Sequence, residues 1–193
     1  MGIEFELKFS AEPEQQERIF RTFALDYQTV RMETTYYDTR DSKLSQRHVT
    51  LRRRMENGRS VCTVKAPAAD GSRGEWECPC EDIHKGIEKL CKLGAPENLI
   101  SLTQKGVNPV CGARFTRKAL TLENHQGMVE LALDRGILFA GDREIPLCEM
   151  EVELKEGTAG FAVGVAQMLA EKYDLQPETK SKFQRARALR EES

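Results

Sequence analysis

The residues most able to do chemistry stand at alternate positions in short charged runs. Glu4, Glu6 and Lys8 alternate with Phe5 and Leu7 near the start of the chain, and Arg52 and Arg54 flank a single residue. Glu149, Glu151 and Glu153 alternate with Met150, Val152 and Leu154. On a β-strand, residues two apart share a face, so each run puts one sign of charge on one face and apolar residues on the other. Lys65, Glu75 with Glu77, Arg117, and Glu130 with Asp134 extend the pattern. A solvated strand face ordinarily mixes signs, because like charges close together repel by some tenths to about 1 kcal/mol. Segregation is tolerable where the faces converge on a ligand that neutralises both. Carboxylates are hard oxygen ligands for divalent cations, and guanidinium and ammonium groups donate to phosphate oxygens. A metal-polyphosphate complex supplies both complements, and a small anionic substrate of that kind is the expected partner.

The elements that must carry these residues follow from periodicity and turn chemistry. Period-two alternation predicts strands over Ile3–Phe9, Thr29–Tyr37, Val49–Met55, Val61–Ala66, Glu75–Cys80, Arg114–Glu123, Met128–Asp134 and Ile145–Lys155. Asn57-Gly58, Asn124 to Gly127, and Gly141-Asp142 are the turn signals between them. Helical spacing predicts helices from Ser10 to about Ala24, Asp82–Leu93, Phe161–Tyr173 and Lys180–Arg190. In the last of these Phe183, Ala186 and Leu189 form an apolar stripe. The expected fold is α+β: a closed antiparallel eight-stranded β-barrel, a tunnel with a charged interior and helices packed outside. With 193 residues and no linker or internal repeat, one domain over 1–193 is expected.

The totals narrow the function classes. The 29 basic and 31 acidic residues nearly cancel, so no global field draws the chain to nucleic acid or anionic lipid. No apolar run approaches a membrane span, and Met1 to Glu6 lacks the features of a secretory signal, so a cytoplasmic protein is expected. The six cysteines contain no C-x-x-C pair and the three histidines stand at no zinc spacing to them, which points to reduced structural thiols.

The runs also resemble a known family. Glu4-Phe5-Glu6-Leu7-Lys8 is similar to the ExExK signature of the CYTH superfamily, the triphosphate tunnel metalloenzymes. Further landmarks resembling the family follow in its order: Tyr37-Asp38-Thr39, Leu51-Arg52-Arg53-Arg54, Thr63-Val64-Lys65, Glu130 to Asp134, Glu149-Met150-Glu151-Val152-Glu153 and Ser181-Lys182. Two positions depart. Phe115 stands where many members carry a basic residue two before Arg117, and His48 where a glycine is frequent.

The resemblance implies hydrolysis or rearrangement of a triphosphate with Mg²⁺ or Mn²⁺. Glu4, Glu6, Glu149, Glu151 and Glu153 are the metal-ligand candidates, with Glu130 and Asp134 as a second group. Arg52, Arg54, Lys65 and Arg117 would hold the phosphates. Lys8, Lys180 and Lys182 are further phosphate contacts, and Lys8 and Lys182 are the catalytic candidates, Lys8 polarising the attacking water or the leaving oxygen. Arg53 has the opposite parity and reads as an outward residue, and Lys155 as a solvated strand end. Inorganic triphosphate, thiamine triphosphate and ATP as a cyclase substrate present the same three phosphates, and similarity in the late acidic strand and the Ser-Lys tail favours inorganic triphosphate. A non-catalytic polyphosphate or nucleotide sensor is the competing class.

Overall fold

The computed structural model describes residues 2–3, 5–23, 27–67 and 73–191. In chain order the elements begin with β1 (Gly2–Ile3), β2 (Glu6–Ser10), α1 (Pro13–Phe23), β3 (Gln28–Asp38) and α2 (Lys43–Gln46). A second group comprises β4 (Thr50–Glu56), β5 (Arg59–Pro67), β6 (Arg73–Pro79), α3 (Ile83–Lys92) and α4 (Asn98–Thr103). The chain then forms β7 (Asn108–Asn124), β8 (Gly127–Ala140), β9 (Arg143–Gly157), α5 (Ala159–Tyr173), β10 (Gln176–Pro177) and α6 (Lys182–Glu191).

Turn and cap chemistry sets these boundaries. Asn57 and Gly58 both take positive φ (47° and 86°), the backbone that a two-residue hairpin between β4 and β5 demands. The Asp82 carboxylate accepts from the Lys85 N–H at 2.8 Å and caps α3, which stops before Gly94 at φ 91°. Thr158 caps α5 by accepting from the Phe161 N–H at 3.3 Å.

All strands pair antiparallel in one sheet of order β1-β6-β5-β4-β3-β7-β8-β9-β2-β10. This corrects the expected closed eight-stranded barrel: among the described residues the ladder is ten strands long, ends at β1 and β10, and does not close on itself. The reason lies in the first segment, read from its alternation as one strand over Ile3–Phe9. Closure would need that strand to pair with a neighbour on each side along its length. Instead two residues, Gly2 and Ile3, pair with β6, while Glu6–Ser10 pair with β9 and two of them, Phe9 and Ser10, pair on their other edge with β10.

Parity governs the two faces of the sheet as expected. Leu131, Leu133, Met150 and Val152 are fully buried with α5 residues Ala162, Ala166 and Leu169. Leu51, Val64 and Trp76 are buried with Ile83, Ile87 and Leu90 of α3. Arg52, Arg54, Lys65, Glu75, Glu130, Glu151 and Glu153 of the same strands face a common cavity. Helix α6 covers one end of that inner face, where Phe183, Ala186 and Leu189 pack against Tyr36, Phe115 and Leu138.

Candidate functional site

The cavity has a volume of about 760 Å³ and takes residues from every strand between β2 and β9 and from the segment leading into α6. One wall is acidic. Strand register sets Glu6 opposite Glu153, Lys8 opposite Glu151, and Glu153 opposite Glu130, so neighbouring strands present carboxylates side by side. Two lysines interleave: Lys8 lies 3.0 Å from Glu6, and Lys155 lies 2.9 Å from Glu153 and 3.9 Å from Glu130. The facing wall is basic. Arg52 and Arg54 point into the cavity from β4 and Lys65 from β5. Glu75 of β6 serves both Arg52 (3.4 Å) and Lys65 (3.6 Å), and Arg54 pairs with Glu56. Burial, and then the Arg52 guanidinium beside it, push Arg54 below the ordinary arginine value. A cation held beside another cation in a partly dry cavity is a site that an anion relieves.

Beneath the acidic wall lies a bundle of buried charge. Asp134 and Glu149 have no exposed surface and Glu151 is 7% exposed. Oxygens of these three lie within 4.8 Å of one another, the one such carboxylate group among the described residues. Three cations close on them. Arg117 forms two 2.8 Å bonds to Asp134 and also pairs with Glu151. Lys182 lies 2.7 Å from Asp134 and 2.8 Å from Glu151, and pairs with Glu149. Arg185 pairs with Glu149 and lies 3.5 Å from Glu178.

Three negative charges thus meet three positive ones, as burial requires. Burial opposes ionisation of Glu151, but the Lys182 and Arg117 charges overcome it and hold its carboxyl well below the usual range. Glu149 moves the other way, raised first by burial and also by repulsion from Glu151 against the pull of Lys182. Burial opposes the charge on Lys182 and on Arg117 as well, yet the surrounding carboxylates raise both.

The donor set suits a hard divalent cation, since three carboxylate oxygens already converge on one ammonium that stands in the position of a cation. Cysteine chemistry is a different matter. The six thiols are free, and burial pushes Cys62 and Cys111 up to about 12, which leaves them inert.

Most of the residues singled out by spacing come together here. Glu6, Lys8, Arg52, Arg54, Lys65, Arg117, Glu130, Glu151, Glu153 and Lys182 all line the cavity. Asp134 and Glu149 do not line it but sit behind it within the ion bundle. Lys180 is exposed and outside the cavity, its N–H bonded to Glu178 at 2.7 Å. Glu4 lies outside the described residues. Arg53 points outward as its parity requires, donating to the Glu81 carbonyl at 3.0 Å.

Sequence reasoning missed several residues. Lys155, read as a solvated strand end, is exposed as expected but also lines the cavity, a role for which its parity with Glu151 and Glu153 was the available signal. Arg185 was missed although it lies three residues after Lys182 on one helix, a spacing that puts both on the same face. Glu75 showed its sign in the charge pattern, but only the β5–β6 register, Lys65 opposite Glu75, reveals its partners.

A CYTH domain model matches residues 2–186, and the chain belongs to that family. It is 28% identical over 194 residues to an inorganic triphosphatase of Haemophilus influenzae, a match covering 96% of this chain. The chain spans about half of that relative's length (54%). Among solved structures, a Hippeastrum protein with a dominant triphosphatase activity superposes with a TM-score of 0.65 at 16% identity, covering 96% of this chain and 95% of its own. A Pyrococcus horikoshii protein superposes with the same TM-score at 23% identity, covering 98% of this chain and 99% of its own. These two likenesses show the fold.

Proposed function

We propose that the cavity binds a linear triphosphate as its divalent-metal complex and hydrolyses a phosphoanhydride bond, with inorganic triphosphate as the substrate and diphosphate and phosphate as products. The observation that carries this reading is the pairing of an Arg52–Arg54–Lys65 wall with a Glu6–Glu130–Glu151–Glu153 wall across one cavity. A volume of about 760 Å³ is ample for one small ligand. Family membership and the Haemophilus influenzae relative support the same chemistry.

Phosphoryl transfer asks a protein mainly for charge neutralisation and in-line placement. Arg52 and Arg54 supply planar forks matched to phosphate oxygens, and Lys65 supplies a compact charge one strand away. Together they fix the phosphate chain along the basic wall and leave its other side toward the carboxylates. Glu151, with Glu6 and Glu153 along the acidic wall and Asp134 and Glu149 behind it, would hold the metal, Mg²⁺ or Mn²⁺. When bound, a divalent ion supplies further neutralisation of the phosphate oxygens. Lys8, held at 3.0 Å by Glu6 and facing Glu151 across the strand pair, is placed to steady a water or the departing phosphate oxygen at its Nζ.

The test is phosphate release from inorganic triphosphate, thiamine triphosphate and ATP, with cyclic AMP measured in parallel, each with Mg²⁺ or Mn²⁺ and in excess chelator. Release from inorganic triphosphate that chelator abolishes is the expected result. Undiminished release in chelator would remove the metal from the reading. Tight binding without release from any compound would mark a sensor instead.

A further inference from the structure

At the end of the cavity formed by the loop around α2, His48 lines the wall with an exposed side chain and a backbone at φ 56°. Left-handed backbone costs an ordinary L-residue roughly 1–2 kcal/mol, a cost that glycine escapes. The loop leaves His48 little freedom to relax. The Asp38 carboxylate accepts from the N–H groups of Thr39 (2.7 Å), Leu44 (3.0 Å) and Ser45 (3.2 Å) and from the Ser45 hydroxyl. Leu44 is fully buried and its carbonyl accepts from the Val49 N–H at 2.9 Å, while the His48 N–H donates to the Ser45 carbonyl at 3.0 Å. A strained residue held by an over-determined frame points to a use for its side chain.

The surroundings say which use. Two residues after His48, Thr50 opens a register row that continues through Lys65 to Glu75. Arg73 reaches this row, donating to the Thr50 hydroxyl at 2.9 Å. The cations facing this end are therefore Lys65 and Arg73, with Arg52 one step deeper and Glu75 shared between Arg52 and Lys65. On the loop's own side, Lys43 pairs with Asp41 at 3.1 Å and the Arg47 guanidinium turns back to the Lys43 carbonyl at 3.4 Å.

We propose that His48 is a substrate-binding residue, its imidazole N–H donating a hydrogen bond to the terminal phosphate at the α2 end of the cavity. This rests on the reading of the cavity as a triphosphate site.

The experiment uses the whole chain, wild type and the variants H48N and H48G. Asparagine tolerates left-handed backbone without the imidazole, and glycine removes both side chain and strain. KM and kcat for inorganic triphosphate with Mn²⁺ are measured alongside calorimetric binding of inorganic triphosphate and thermal midpoints. Both variants are expected to raise KM about tenfold, the equivalent of one charge-assisted hydrogen bond to phosphate, with kcat little changed and H48G melting no lower than wild type. Variants that match wild type in KM, or that lose kcat and thermal stability along with it, would overturn the role of His48 and leave the triphosphatase reading standing. A wild-type chain that neither binds nor hydrolyses inorganic triphosphate would overturn both.

Discussion

The Lys182 ammonium lies 2.7 Å from the Asp134 carboxylate, an acid with no exposed surface. Lys182 opens α6, the helix that enters the inner face of the sheet, so the packing of Phe183, Ala186 and Leu189 also fixes the charge at the centre of the acidic bundle. If that ammonium stands where a divalent cation binds, the two compete. Lys182→Met should then destabilise the chain by about 3–5 kcal/mol in chelator, because a buried carboxylate cluster loses a partner. Added Mn²⁺ should recover more of that loss in the variant than it adds to wild type, as read from thermal midpoints with and without metal. An identical metal response in the two proteins would mean that the carboxylates do not receive the ion.

Arg52 and Arg54 carry the opposite expectation for stability. Both face the cavity from one strand, and Arg54 is pushed down by burial and by Arg52. Removing either charge relieves repulsion in the free protein and removes a phosphate contact in the complex. Arg52→Ala and Arg54→Ala should each reduce kcat/KM for inorganic triphosphate by about 10²–10³, the scale of a lost charge-stabilising donor. Urea midpoints should stay level or rise. Cooperative unfolding lost in both variants would make these arginines structural.

How much of this was legible follows from where each interaction lives. Strand parity is local, so Glu6 with Lys8, Arg52 with Arg54, and Glu151 with Glu153 could be placed on shared faces from spacing alone. Closure is not local. Whether the Gly2–Ser10 segment bonds one neighbour or two depends on β6 and β9, remote in sequence, and on β10 taking the free edge of β2. Strand length was understated for a related reason. Pro109 and Gly112 look like breakers, yet β7 begins at Asn108. A register shift between Tyr36 and Tyr37 admits the extra residue near Pro109, and a Cβ on Gly112 would come within 2.3 Å of Phe139. The sinking of Asp134 and Glu149 behind the cavity wall depends on the arrival of α6 with Lys182 and Arg185, a tertiary event that strand alternation does not encode.

The acidic bundle also sets a pH limit on stability. The folded chain holds Glu151 well below its usual range, so its ionisation stabilises the fold above the unfolded carboxyl value near 4.3. That contribution disappears as pH falls through the lower folded value. Glu149 is raised, so its contribution has the opposite sign: present below the unfolded value and lost as pH rises through the folded one. In metal-free buffer at pH 7, Glu151→Gln should therefore destabilise by about 3 kcal/mol and Glu149→Gln by distinctly less, since only the first removes a charge that the fold favours. Chemical denaturation from pH 7 down to 3 should show the wild-type advantage over Glu151→Gln shrinking toward the acid end. An advantage that stays constant with pH would contradict the assignment.

Two glycines separate the requirements of the site from those of the helices around it. At Gly136 in β8 an added Cβ would stand 2.1 Å from the Arg114 carbonyl oxygen and 2.5 Å from the Phe115 Cα, both main-chain atoms that cannot swing aside. Phe115 lines the cavity, with the Arg117 guanidinium 6.0 Å and the Lys182 ammonium 5.2 Å from its ring centre, so a shift of that backbone moves both cations. Gly136→Ala is expected to lose about 1–3 kcal/mol by overpacking and to lower turnover as well. Gly164 lies exposed on α5 with nothing within 4 Å of an added Cβ, and Gly164→Ala should gain about 0.5–1 kcal/mol from helix propensity without altering KM. Thermal midpoints and steady-state kinetics on the pair provide the check, and a Gly136→Ala protein as stable and as active as wild type would show that β7 and β8 do not approach as closely as described.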